Sequence, residues 1–205
     1  VVQELGRQAA ARWVATQFII EPVTTYEMTR RLVQQGHRPL VLDMANLYRR
    51  GGGATTGDKT QGGALCLGTT LYPALERLTY PLPERGGAYV PGVQFFRDDA
   101  YNVVAPFVAD VFVSAPHSRR YEAIDAEIRT MLRSAIQHEN RSLVLSAFGC
   151  GAFRNDPNFI AAAYRRILNE DEFRGVFDVV AFGIYDPPGV PTPNHPIFQR
   201  VLMPA

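Results

Sequence analysis

Two stretches of this 205-residue chain combine residue types suited to holding an anion. The first, Asn46–Gly63, reads NLYRRGGGATTGDKTQGG. Consecutive Gly51, Gly52 and Gly53 let the backbone take φ > 0 and let a ligand approach the peptide planes closely. Successive backbone N–H groups in such a turn form a nest that favours negative charge. Asn46 directly follows an apolar run, and an amide placed there can read a sugar hydroxyl. The second stretch, Phe148–Pro157, reads FGCGAFRNDP and leads from another apolar run into a helix start at Asp156-Pro157. Unpaired N–H groups and the helix dipole favour a phosphate at such a place. It lacks the Gly-Lys-Ser/Thr ending of a P-loop, and Phe153 and Arg154 after Gly151 break a GxGxxG pattern. Taken singly, the first stretch also reads as a long surface turn and the second as an ordinary strand-to-helix connection.

Other chemistry is sparse. Cys66 and Cys150 are too few for a disulfide framework and lie in no zinc-like spacing. Cys66 reads as a core contact on its helix and Cys150 as a small residue in a tight loop. His37, His117, His138 and His195 are scattered, so neither a metal nor a cofactor is expected. The formal net charge of +1 argues against general nucleic-acid binding, and any anion must be held by a local site. No apolar run reaches membrane-spanning length, and no signal peptide is visible. A soluble protein, cytoplasmic or exported as an effector, is expected. The chain opens on Val1 rather than Met, as a piece of a longer protein would.

The elements that must position these stretches alternate between helical and strand patterns. Apolar content of 46% and this length suit one domain over residues 1–205. Leu5, Ala9, Arg12 and Trp13 predict a helix over 4–16. Residues 17–23 read as a strand. Thr24 and Thr25 stand where an N-cap belongs, opening a helix that Gly36 ends. Residues 39–45 (PLVLDMA) read as a buried strand, 64–78 as a helix, and 80–92 as a Pro/Gly-rich loop with short extended pieces. Strands are expected at 93–97 and 108–115, a helix at 119–137, and a core strand at 142–148. A helix over 157–168 starts on its proline. A last core strand covers 177–185, and a short helix follows at 195–202. Such alternation predicts a mostly parallel sheet covered on both faces, with ligands at the carboxyl ends of its strands. Both glycine stretches follow core strands at that end.

Six segments in order resemble the microbial poly(ADP-ribose) glycohydrolases, a branch of the macrodomain superfamily. They are VTTYEM at Val23–Met28, LDMANLYRRGGG at Leu42–Gly53, LYPAL at Leu71–Leu75, YVPGVQFFRD at Tyr89–Asp98, VSAP at Val113–Pro116 and LSAFGCGAFRNDP at Leu145–Pro157. The last is the most specific. The resemblance implies a three-layer α/β/α macrodomain-like sandwich with a mostly parallel mixed sheet and a cleft for ADP-ribose, free or attached to a protein. Carried over by position, Asn46 would contact the distal ribose, and Gly51, Gly52 and Gly53 would approach the diphosphate and that ribose. Gly149, Cys150, Gly151, Ala152 and Phe153 would wrap the diphosphate, with the Phe153 ring on a ribose. Thr25 would line the adenosine end.

One departure bears on activity. Family members carry Gln-Glu-Glu after the triple glycine, and the second glutamate is the general acid/base. Here the residues are Gln61, Gly62 and Gly63. Gln61 is kept as a binding residue, but glycosidic cleavage needs a carboxyl group that glycine cannot supply. Asp58 in the same loop and Asp43 before Asn46 are the candidate replacements. Asp58 also reads as a turn residue, and Asp43 as a strand residue turned either way. Asp98 and Asp99 read as turn or structural residues. Three readings stay open: an ADP-ribosyl hydrolase acting on mono-modified side chains such as arginine, a non-catalytic ADP-ribose reader, and a binder of another nucleotide.

Overall fold

The computed structural model describes residues 15–57, 60–116, 121–189 and 193–203. Its centre is a six-stranded sheet in the order β1-β6-β5-β2-β4-β3. The strands are β1 (Gln17–Glu21), β2 (Pro39–Met44), β3 (Ala88–Arg97), β4 (Val103–Ser114), β5 (Ser142–Leu145) and β6 (Val179–Gly183). All neighbours pair in parallel except β3, which runs antiparallel to β4 at one edge. The helices are α1 (Thr25–Gln34), α2 (Gln61–Gly68), α3 (Leu71–Leu75), α4 (Tyr121–Gln137), α5 (Pro157–Leu168) and α6 (Asn194–Leu202). The expected helix over 4–16 lies outside the described residues, apart from its last two positions.

Strand alternation sorts side chains onto two faces. Leu40 and Leu42 of β2, Leu143 and Leu145 of β5, and Val180 and Phe182 of β6 pack with Ile124, Ile128, Ile160 and Tyr164 of α4 and α5. Val41, Val144 and Ala181 face the other way, against Met28 and Leu32 of α1 and Leu65 of α2. Each of the Val, Leu, Ile, Phe and Met side chains among them contributes about 1.5–3 kcal/mol when fully buried. The result is the expected three-layer α/β/α sandwich. Asp43 follows Leu42, so it points with Val41 into the α1–α3 layer.

Local signals set the helix starts. The Thr24 side chain accepts from the N–H of Glu27 at 3.1 Å, Thr60 from that of Gly63 at 3.2 Å, and Asp156 from that of Asn158 at 2.9 Å. Gly36 closes α1 with φ +86°.

Two expectations need correction. The helix over 64–78 is two helices, because Thr69 turns extended. Its hydroxyl donates to Leu65 O at 2.7 Å and accepts from Leu71 N at 3.0 Å, so the side chain takes over the backbone's role. The strand expected at 93–97 begins earlier, at Ala88, within the Pro/Gly-rich stretch. An edge strand tolerates Pro91-Gly92 as a bulge: the register shifts between Val90 and Val93, and the Gly92 N–H donates to Asp110 Oδ1 at 2.9 Å. Beyond Ala109, β3 and β4 continue as a hairpin whose turn is Asp98–Asn102.

Candidate functional site

The carboxyl ends of β1, β6, β5 and β2 open onto a cavity of about 470 Å³. Thr25 lines it from the start of α1, Met44, Ser146, Gly183 and Tyr185 from the strand ends, and Gln61, Ala64 and Leu65 from α2. The hairpin tip closes the far side with Arg97, Asp98, Asp99 and Tyr101. The tip is fastened by the Thr24 hydroxyl, which donates to Asp99 Oδ2 at 2.7 Å. Of the residues singled out from sequence as binding groups, Thr25 and Gln61 lie in this lining. Asn46 with the Gly51–Gly53 turn, and the Gly149–Phe153 loop, continue from Met44 and Ser146 and are not among the lining residues.

Gln61 acts as a staple. Its Oε1 accepts from Met44 N at 2.8 Å, and its Nε2 donates to Leu42 O at 2.7 Å and Thr25 Oγ1 at 3.3 Å. The start of α2 is thereby pinned to β2 and α1, and the amide has little capacity left for a ligand.

Gly51 and Gly52 have φ of +63° and +57°. A Cβ on Gly51 would lie 2.7 Å from the Tyr72 ring and 3.2 Å from Cys66 Sγ, so close packing requires glycine there. Asn46 Oδ1 accepts from the N–H groups of Tyr48 and Arg49, both at 2.9 Å, which shapes the turn. The Asn46 NH₂ and the N–H groups of Gly51 and Gly53 have no partner among the described residues.

In the second loop Gly149 has φ +75°, and a Cβ there would collide with the Asn155 amide and lie 2.8 Å from Pro116 Cγ. Gly151 has open space around it. The N–H groups of Gly149, Gly151 and Ala152 have no partner among the described residues, whereas that of Cys150 donates to Ala147 O at 3.1 Å. Phe153 packs against the α1–α3 layer and Cys150 against the α4–α6 layer. Burial and the nearby charges of Asp156 and Asp186 push the Cys150 thiol up to about 12, which keeps it protonated.

Asp43 lies beneath the first turn of α2. It is 1% exposed, and its Oδ1 has no hydrogen-bond partner among the described residues. A Cβ on Gly62 would stand only 2.6 Å from that oxygen. Burial pushes the Asp43 carboxyl up to about 7. Burial and the Asp43 charge push Cys66 and Tyr80 up to about 12. The Tyr80 hydroxyl also lacks a partner among the described residues. Asp58 lies outside the described residues. No group of three or more His, Cys, Asp or Glu residues that could hold a metal exists among the described residues, and no helix among them is long and apolar enough to cross a membrane.

The hairpin tip is where sequence reasoning fell short. Asp98 does hold the turn, accepting from the N–H groups of Ala100 and Asn102 at 2.9 and 2.8 Å. Together with Asp99 and Tyr101 it also walls the cavity. Two successive carboxylates and an aromatic within one short turn were the available signal.

Residues 3–98 match the family model of the microbial-type PARG catalytic domain. No curated protein matches. Among solved structures, the chain resembles the poly(ADP-ribose) glycohydrolase of Deinococcus radiodurans in complex with ADP-ribose: TM-score 0.83, 29% identity, over 94% of this chain and 86% of that one. The Thermomonospora curvata enzyme matches with TM-score 0.81 and 28% identity over 92% of this chain and 77% of that one. The same enzyme bound to the inhibitor ADP-HPD matches with TM-score 0.81 and 27% identity over 95% and 82%.

Proposed function

We propose that this chain, kin to the microbial-type poly(ADP-ribose) glycohydrolases, is a single ADP-ribose-binding domain over residues 1–205 that hydrolyses ADP-ribose from modified proteins. The observation that carries binding is the second glycine loop. It offers the N–H groups of Gly149, Gly151 and Ala152, without partners among the described residues, between a core strand and α5, and a diphosphate satisfies such donors. The likeness to an ADP-ribose complex over most of both chains supports the same ligand. On this reading the Asn46 amide and the Gly51–Gly53 turn take the distal ribose. Thr25 and the hairpin tip take the uncharged nucleoside end, since a diphosphate would be repelled by Asp98 and Asp99.

For chemistry, the leaving atom on ribose C1″ needs a proton and water must attack the other side. The first turn of α2 carries no carboxyl group. Asp43 supplies one from β2, reaching the place where a side chain at position 62 would begin. Raised to about 7, it is a proton donor near neutral pH. Its action requires a water-mediated or breathing contact through the glycine pair, because it is 1% exposed.

That same burial favours a second reading, an ADP-ribose reader without turnover. Calorimetry with ADP-ribose, AMP and NAD as competitors, followed by release assays on arginine- and glutamate-linked ADP-ribose, separates the two. The hydrolase binds ADP-ribose selectively and releases it, and Asp43→Asn binds without release. A wild-type protein that binds but releases from neither linkage is a reader. Absence of ADP-ribose binding overturns both readings, and stronger competition by AMP or NAD points to another nucleotide.

A further inference from the structure

A second cavity of about 640 Å³ runs between α1 and the β3–β4 hairpin. It shares Tyr26, Asp98 and Asp99 with the cleft, so the two spaces adjoin. We propose that this groove binds a cationic side chain, a guanidinium or ammonium group on a basic segment of the protein whose ADP-ribose occupies the cleft. The identity of that partner rests on the function proposed above; the cation site stands on the following geometry.

Asp98 and Asp99 form no ion pair with any described residue. Arg30 also lines the groove, but its Nε and Nη2 donate to Glu27 at 2.8 Å each and its Nη1 to Gln34 Oε1 at 3.1 Å. It neutralises Glu27, not the aspartates. Hydrogen bonds from Asn102 hold the Asp98 carboxyl below its usual range, so it is ionised. Burial raises Asp99 against the pull of the Thr24 hydroxyl, as expected of a carboxylate lacking a nearby counter-ion.

Tyr26 adds an independent sign of a ligand. It is 9% exposed, its hydroxyl has no partner among the described residues, and it lines both spaces. Buried hydroxyls are ordinarily hydrogen-bonded. The Phe107 ring stands 5.6 Å from that of Tyr26 and gives the groove an aromatic side. Unpaired carboxylates, a phenol oxygen and aromatic faces suit a guanidinium or ammonium group. They repel phosphate, so a nucleic acid is a poor occupant.

The test uses the whole chain and an unmodified peptide carrying two arginines, titrated at low salt. Wild type binds it, and added salt weakens the binding, as expected of a partly exposed charge pair. Asp99→Asn is isosteric, can still accept from Thr24, and leaves Asp98 to hold the turn. It weakens peptide binding by about fivefold or more, a large loss for an exposed pair. Its thermal unfolding midpoint stays close to that of wild type, which separates loss of the cation site from loss of the fold. Tyr26→Phe, which keeps the ring, weakens the peptide by about threefold.

Equal peptide binding by wild type and Asp99→Asn, or equal binding of a glutamine-substituted peptide, overturns the cation site. Agmatine binding as tightly as the peptide overturns the assignment to a protein segment. Peptide binding without ADP-ribose binding overturns the proposed function and leaves the cation site standing.

Discussion

The two glycine loops look alike in sequence and differ in what lies behind them. The Gly149–Phe153 loop is shaped by close packing: Gly149 is wedged between Asn155 and Pro116, and its cysteine, Cys150, is held protonated by burial and by the charges of Asp156 and Asp186. The Gly51–Gly53 turn is backed by titratable side chains. Cys66 and Tyr72 stand where a side chain at Gly51 would begin, and Asp43, one oxygen of which has no partner among the described residues, lies under Gly62. On the proposed reading the first arrangement grips and the second reacts. A rigid loop that offers backbone N–H groups needs no reacting carboxyl, whereas proton transfer needs a carboxyl whose pKa is moved toward the working pH.

The largest expected effects come from the gripping loop, where neighbouring glycines serve different ends. Gly149→Ala forces a Cβ into Pro116 and the Asn155 amide at φ +75°. It should cost about 2–4 kcal/mol of stability, read by thermal or denaturant unfolding. Gly151→Glu meets open space in the protein and should leave the melting temperature nearly unchanged. It should weaken ADP-ribose by about 100-fold or more, through bulk and like charge at the diphosphate. A Gly151→Glu protein that binds normally would remove this loop from the site and break the comparison at its root.

The reacting loop is probed through Asp43. Asp43→Asn should retain binding and lose release by about 100-fold or more, the usual worth of a general acid. On the proposed mechanism the protonated Asp43 carboxyl is the active form, so release should fall as pH rises through about 7. The stability consequence has a definite sign. The folded value of about 7 exceeds the ordinary 3.8, so the folded state binds the extra proton between them. Stability should therefore decline as pH rises from about 4 to 7 and stay reduced above that. The asparagine variant should lack this decline. A release profile with no limb near 7, or one unchanged in the variant, would move the chemistry to Asp58 or leave a reader.

These contrasts show which parts of the molecule could be read in one dimension. The capped helices were legible because Thr24, Gly36 and Asp156-Pro157 act within a turn of themselves. The core strands were legible because buried parallel strands are written as apolar runs. The start of β3 was hidden by Pro91-Gly92, since a bulge on an edge strand uses the residues that ordinarily mark a loop. The break in the helix at Thr69 depends on a side chain replacing a backbone bond. At the site, the glycines that needed positive φ were visible as glycines. The contact of Asp43 with Gly62 joins a strand to a helix, and only their packing reveals that the missing side chain and the buried carboxyl meet in one place. Gln61 was legible as important, but its partners on β2 and α1 make it a staple.

The smallest expected effect sharpens the comparison from the other side. If the second loop grips without reacting, its cysteine should be dispensable. A thiol near 12 is on the order of one part in 100,000 thiolate at pH 7, too little for a nucleophile. The Cys150 N–H already donates to Ala147, and its Sγ lies 3.9 Å from Phe148 O. Cys150→Ser keeps the backbone bond and offers a hydroxyl to the same carbonyl. ADP-ribose affinity and release should stay within about twofold, and stability within about 1 kcal/mol, the cost of a partly satisfied hydroxyl. A collapse of release with binding intact would place a reacting group in the gripping loop, and the division of labour between the two loops would have to be redrawn.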